Sequence, residues 1–222
     1  MAYLIRILLP DRPGSLGLLA DAIGSTGGDI QSVDVVQAFP DGTVMDDMVV
    51  SLPSTVMADA LITAAHEVEG VEVDSIRPFS GTVDRRGQIQ MLAELAAASN
   101  QKSSLAQLID NIPRVLTSNW AILLRVDGGK LQRVTASPAA PEDDGTSPDA
   151  FDLPEARVLR PDAEEWIPES WALLDTALAA APLEKDGSLI LVLGRVGGPD
   201  YLPSEVQHFG NLATILGRLL RK

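Results

Sequence analysis

The chain has 222 residues, an apolar share of 45% and a formal net charge of −14. That length allows one large domain or two small ones, each able to bury a core, and the charge argues against nucleic acid, whose phosphates demand a basic face. Cysteine is absent, which excludes disulfide scaffolds, thiol catalysis and cysteine-ligated metal sites. Met1 to Arg6 has neither the basic start nor the apolar core of a secretory leader. No apolar run approaches a membrane span, so the expectation is a soluble cytoplasmic protein.

Tyr3 to Leu9 is a short apolar run that reads as a buried strand. The junction Asp11-Arg12-Pro13-Gly14-Ser15-Leu16-Gly17 follows. Pro13 presets φ for a first helical turn, and Gly14 lets the backbone come close to whatever sits there. The N–H groups of the new helix can then hold an anion such as a carboxylate. Leu16, Leu19, Ala20 and Ile23 share one helical face, and Gly27-Gly28 ends it as a left-handed cap would.

Asp29 to Phe39 reads as a second strand carrying Ile30, Val33, Val35 and Val36. Pro40-Asp41-Gly42 turns the chain into a third, Thr43 to Leu52, where alternating Met48, Val50 and Leu52 predict one buried face. Pro53-Ser54-Thr55 is expected to cap a helix near Val56 to Val68, closed by Gly70. Val71 to Arg77 is the fourth strand. The order β-α-β-β-α-β predicts a four-stranded antiparallel sheet with two helices on one face. The first 80 residues hold 12 acidic and three basic side chains, which makes Arg6, Arg12 and Arg77 conspicuous.

Residues 3–79 resemble an ACT domain, the small-ligand regulatory module of amino-acid metabolism. The likeness rests on Asp11 to Leu16, on Leu19, Ala20 and Ile23, and on Gly27-Gly28-Asp29-Ile30. It implies a ferredoxin-like fold and a ligand held between two subunits. Asp11, Arg12, Pro13, Gly14, Ser15 and Leu16 of one chain would face Gly28, Asp29, Ile30 and Gln31 of the other. An ammonium would pair with Asp11 or Asp29, and a carboxylate with helix N–H groups or Arg12. Two carboxylates at one site favour a cationic or zwitterionic ligand over a dicarboxylate. On the residues alone, Asp11 is equally a helix cap and Asp29 a turn residue.

Ser80 to Gly87 reads as a linker, which sets the domains at 1–80 and 88–222 with residues 81–87 between them. Helices are expected at Gln88 to Ser99 and Ser104 to Leu116, with Pro113 disturbing the last turn of the second. Trp120 to Val126 and Leu131 to Ser137 form a hairpin about Asp127-Gly128-Gly129. Pro138 to Pro154 is a loop; residues 155–171 show no clear pattern apart from a short helix or turns around Trp166 and Trp171. Thr176 to Leu183 and Ser188 to Val196 make a second hairpin. Ser204-Glu205-Val206-Gln207 fits a capping box opening the last helix.

This half resembles a divergent GAF domain, a small-molecule sensor module. The likeness lies in Ala181-Pro182-Leu183, Asp186-Gly187, Leu189 to Arg195 and Tyr201 to Glu205 leading into Leu212 to Ile215. Leu202 stands where that family often has Phe, and no cysteine is present to attach a tetrapyrrole. The implied role is packing and dimerisation through the first and last helices, ahead of ligand sensing.

His66 and His208 are too few for a histidine zinc site, and no P-loop, dinucleotide fingerprint or nucleophile elbow occurs. The expected class is α+β: a ferredoxin-like unit followed by a GAF-like unit with an antiparallel sheet and flanking helices. The expected function is a non-catalytic sensor: a homodimer without metal or cofactor that binds a free amino acid or similar metabolite and signals to its GAF-like domain or to a protein partner. The alternatives are a regulatory subunit of a biosynthetic enzyme, and an enzyme with its site in residues 88–222.

Overall fold

The computed structural model describes residues 1–79, 85–98 and 101–220. Residues 80–84 of the expected linker, Ser99 at the end of the expected helix and Asn100 of the expected break lie outside them. The chain divides into two compact units, Met1–Asp84 and Arg85–Lys222.

The first unit runs β1 (Ala2–Pro10), α1 (Ser15–Ser25), β2 (Asp29–Ala38), β3 (Thr43–Ser51), α2 (Asp59–His66) and β4 (Glu72–Pro78). The sheet order is β2-β3-β1-β4, with every neighbour antiparallel. Alternation along β1 sends Ile5, Ile7 and Leu9 into a core shared with Leu19 and Ile23 of α1, Leu61 and Ala65 of α2, and Met48 and Val50 of β3. The end of α1 is a left-handed cap: Gly27 has φ 79°, its N–H donates to Gly24 O at 2.9 Å, and Gly28 N–H donates to Ile23 O at 3.3 Å.

Three expectations need correction here. β3 is buried on both faces from Val44 to Val50, because it lies between β1 and β2 rather than at a wet surface. α2 starts at Asp59 behind an uncapped Ala58, so Pro53-Ser54-Thr55 forms a turn and caps nothing. In β2, Val33 and Val35 are exposed, since edge position leaves that strand less covered.

The second unit runs α3 (Arg85–Ala97), α4 (Gln101–Val115), β5 (Trp120–Asp127), β6 (Lys130–Ala136), β7 (Arg157–Leu159), α5 (Glu169–Ala172), β8 (Ala177–Pro182), β9 (Leu189–Arg195) and α6 (Pro203–Leu220). Arg85 to Gly87, expected in the linker, are already helical, as are Gln101 to Ser103 of the expected break. The five strands are ordered β6-β5-β9-β8-β7, all antiparallel. One face, with Ala121, Leu123, Ala179, Leu191 and Leu193, packs on α3, α4 and α6. The other, with Trp120, Ile122, Leu178, Ile190 and Val192, packs under Leu153, Ile167 and Trp171. Two glycines permit this density: a Cβ at Gly194 would fall within the Trp120 ring, and one at Gly217 on the Leu183 carbonyl.

Candidate functional site

Asp11 to Leu16 forms the bridge from β1 to α1 and is tied to the β2–β3 turn: Asp11 N–H donates to Gly42 O at 2.9 Å. Pro13 lies in the turn ahead of α1, not in its first helical turn. Gly14 is the N-cap residue, with φ 96°, a left-handed value that only glycine adopts without strain. No side chain caps α1, so Asp11 is not its cap, and no acidic residue occupies the first turn. Asp11, Arg12, Pro13, Gly14 and Leu16 are exposed, whereas Ser15 is buried.

The other group of expected residues sits elsewhere. Asp29 pairs with Ser51 at the far end of β3, while Asp11 meets Gly42, next to Thr43. Eight residues of strand separate the two ends, about 26 Å at 3.3 Å per residue. Within one chain Asp11 and Asp29 therefore do not meet. Gln31 Nε2 donates to Asp29 Oδ2 at 2.8 Å and also lies 3.4 Å from Ser51 Oγ. Gly28 serves packing, since a Cβ there would meet Ile23 Cγ2 at 2.9 Å and Val50 Cγ1 at 3.1 Å.

Two acidic residues escaped the sequence reading. Asp46 and Asp47 are adjacent in β3 and both buried, so the period of two sends them to opposite faces. Asp47 accepts two bonds from Arg6, from Nε at 2.7 Å and from Nη2 at 2.8 Å, a buried bidentate pair. Asp46 lies on the helix-covered face between Ile7 and Val35, and its Oδ1 has no hydrogen-bond partner. Burial pushes its carboxyl up to about 6, helped by the like charges of Asp34, Asp47 and Asp11. The signal available in the sequence was the doublet itself, since alternation cannot put both aspartates of an otherwise apolar strand in water.

In the second unit the face remote from the helices is filled by rings. Phe151 stacks on Trp166 at 4.0 Å, and Trp171 meets Trp166 at 6.2 Å and Trp120 at 6.3 Å, both edge-on. Arg157 lies 5.4 Å from the Phe151 ring centre and pairs with Glu164 at 2.6 Å. That bond, with donors from Arg160 N–H and Trp166 Nε1, holds the Glu164 carboxyl down at about 2. Beside this layer a cavity of about 20 Å³, lined by Leu124, Leu131, Arg133 and Trp171 among others, has room for roughly one water. Among the described residues no cluster of three or more His, Asp or Glu could hold a metal ion, and no helix is long and apolar enough to cross a membrane.

No protein-family profile matches the chain. It is 29% identical over 147 residues to NAD-dependent malic enzyme 1 of Bacillus subtilis (strain 168), covering 54% of this chain and 33% of that enzyme. The chain thus spans about a third of the length of that curated relative. Among solved structures it is similar to the GAF domain of a phosphoenolpyruvate-protein phosphotransferase from Coxiella burnetii, at 15% identity over 61% of this chain and 91% of that one, TM-score 0.49. It is also similar to the corresponding GAF domain from Acinetobacter, at 11% identity over 64% and 95%, TM-score 0.49. A third is free methionine-R-sulfoxide reductase from Neisseria meningitidis with its substrate, at 16% identity over 65% and 95%, TM-score 0.45. Likeness at this level does not carry an activity from those proteins to this chain.

Proposed function

We propose that the chain is a non-catalytic regulatory protein. Its first unit is an ACT-type, ferredoxin-like module that binds a free amino acid or similar small metabolite at a site shared by two subunits. Its second unit is GAF-like and passes the bound state to a protein partner. The observation that carries this reading is the place of β2, an edge strand whose Asp29 end lies opposite the Asp11 loop. Antiparallel pairing of β2 with a second copy sets Asp29, Ile30 and Gln31 of the partner subunit beside Asp11 to Leu16, and it also closes an open sheet edge. The uncapped α1 N-terminus and the exposed Arg12 suit a carboxylate. Ligand binding would favour one dimer arrangement, and that preference is the signal.

The ring layer of the second unit supports a packing role for it over sensing, because the aromatic side chains fill that face of the sheet. Ile89 of α3 and Ile215 of α6 are exposed and suit a helical bundle with another copy. The likeness to part of a malic enzyme favours, as a second reading, a regulatory subunit that serves a separate metabolic enzyme. Light scattering, combined with a thermal-shift series over the standard L-amino acids, tests the main proposal. A dimer is expected, with a rise in Tm for at least one neutral or basic amino acid and a smaller rise in Asp11→Ala. A monomer at high concentration that responds to no amino acid would overturn it, and a preference for aspartate or glutamate would remove the charge argument.

A further inference from the structure

Of the three buried polar atoms described in the first unit that lack a hydrogen bond, Ser15 Oγ, Ser32 Oγ and Asp46 Oδ1, two belong to residues only 7% and 3% exposed, Ser15 and Asp46. Such atoms demand a partner, and a buried acceptor left without one is costly. The topology brings them together. Leu19 and Ile23 of α1 share a core with Met48 and Val50 of β3, the strand between β1 and β2. Ser15, Leu19 and Ile23 are its buried residues, while Asp46, Met48 and Val50 alternate along β3 towards it. Ile23 and Val50 share a level, because both close on Gly28. From there, eight helical residues back to Ser15 span about 12 Å, and four strand residues back to Asp46 span about 13 Å. On these lengths Ser15, at the N-terminal end of the helix, falls level with Asp46.

We propose that Ser15 Oγ and Asp46 Oδ1 form the seat for the α-ammonium of the amino acid bound at this end of α1. The inference rests on the amino-acid-binding reading above and reassigns the ammonium within that site, from Asp11 or Asp29 to a buried residue of β3. Both atoms can accept from an ammonium, which carries three donors. Neighbouring acids make the seat hostile to an anion: Asp11 from the loop, and Asp34 and Asp47 from β2 and β3, add negative potential. A metal ion is a poor fit, since no three ligating side chains converge among the described residues. The cross-strand neighbour of Asp46 on β2 is Val35, which is 61% exposed. The ligand carboxylate is then left for Arg12 and the helix N–H groups.

The test is calorimetric titration of full-length wild type, Asp46→Asn, Ser15→Ala and Asp11→Ala with whichever standard L-amino acids raise the wild-type Tm, and with their N-acetyl derivatives. Loss of a buried charge-assisted bond predicts at least about tenfold weaker binding in Asp46→Asn. A smaller loss is expected in Ser15→Ala, with no measurable binding of the N-acetyl forms. Circular dichroism establishes that each variant is folded, and Ser15→Ala decides the matter alone if Asp46→Asn is not. Wild-type affinity in both of these variants, with weakened binding in Asp11→Ala, would overturn the assignment to Asp46 and leave the site itself standing. Equal binding of free and N-acetylated ligand would also overturn it. If no amino acid affects the wild type, the site reading fails and takes the seat with it.

Discussion

Asp46 sets the clearest expectation for a single residue. Its carboxyl lies at about 6 in the folded chain against an ordinary 3.8, so the folded state holds the proton more tightly than the unfolded one. The associated stability is fully present below the unfolded value and is lost as pH rises through about 6. A shift of that size corresponds to about 3 kcal/mol. Asp46→Asn should therefore stabilise the first unit by about 2–3 kcal/mol near pH 7.5 and by almost nothing near pH 4. Urea unfolding followed by circular dichroism at the two pH values measures this, and an equal gain at both would refute it. Residues on this scale were only partly legible in the sequence. Gly14 could be read as a turn former from its neighbours, but its left-handed φ of 96° and its place as helix cap became visible only in three dimensions. Asp46 and Asp47 stand side by side in the chain, yet one is paired and the other is not, because Arg6 reaches only one face of β3.

Among the elements, α6 shows how one residue can anchor a whole helix. Arg195 at the end of β9 is fully buried and donates to Thr117 O at 3.1 Å and Thr117 Oγ1 at 3.0 Å. It also pairs with Glu205 Oε1 at 2.6 Å and lies 4.1 Å from the Tyr201 ring centre. The second oxygen of Glu205 accepts from Leu202 N–H at 2.9 Å, which makes Leu202 the cap position of α6. The expected box of Ser204 with Gln207 is thus displaced: Glu205 is its acidic half, and Pro203 takes the first helical position where a missing N–H costs nothing. Glu205→Ala removes the cap and strands a buried guanidinium together. A loss of about 3–5 kcal/mol is expected. All three tryptophans, Trp120, Trp166 and Trp171, belong to the second unit, so Trp fluorescence during unfolding reports that loss separately from the first unit. An unchanged fluorescence midpoint would contradict it.

For the molecule as a whole, the prediction concerns assembly. Val35 faces the open flank of β2 and is 61% exposed in the single chain, so a lysine there costs the isolated first unit little. At the centre of a paired β2 edge the same change buries a charge and places it against its own symmetry mate. Val35→Lys should halve the mass seen by light scattering while the thermal unfolding of the monomer stays near wild type. A dimer that persists unchanged would move the interface away from this edge.

Element order and type in the first unit followed from the sequence, since short-range periodicity and glycine punctuation are local properties of the chain. The same was true of the two hairpins and the last helix of the second unit. β7, at Arg157–Leu159, was not legible: three residues are too few to show a period, and pairing with Ala180 to Leu178 makes the strand. Burial on both faces of β3 depended on its two neighbours, which only the sheet order supplies. The separation of Asp11 from Asp29 and the inferred level of Ser15 beside Asp46 have the same origin. They are distances between segments remote in sequence, fixed by strand register and by the path of α1 across the sheet. Sequence alone determined which groups carry charge and where the chain turns; tertiary structure decided which of those charges are out of water and what each one faces, because desolvation belongs to the packed fold and not to the residue.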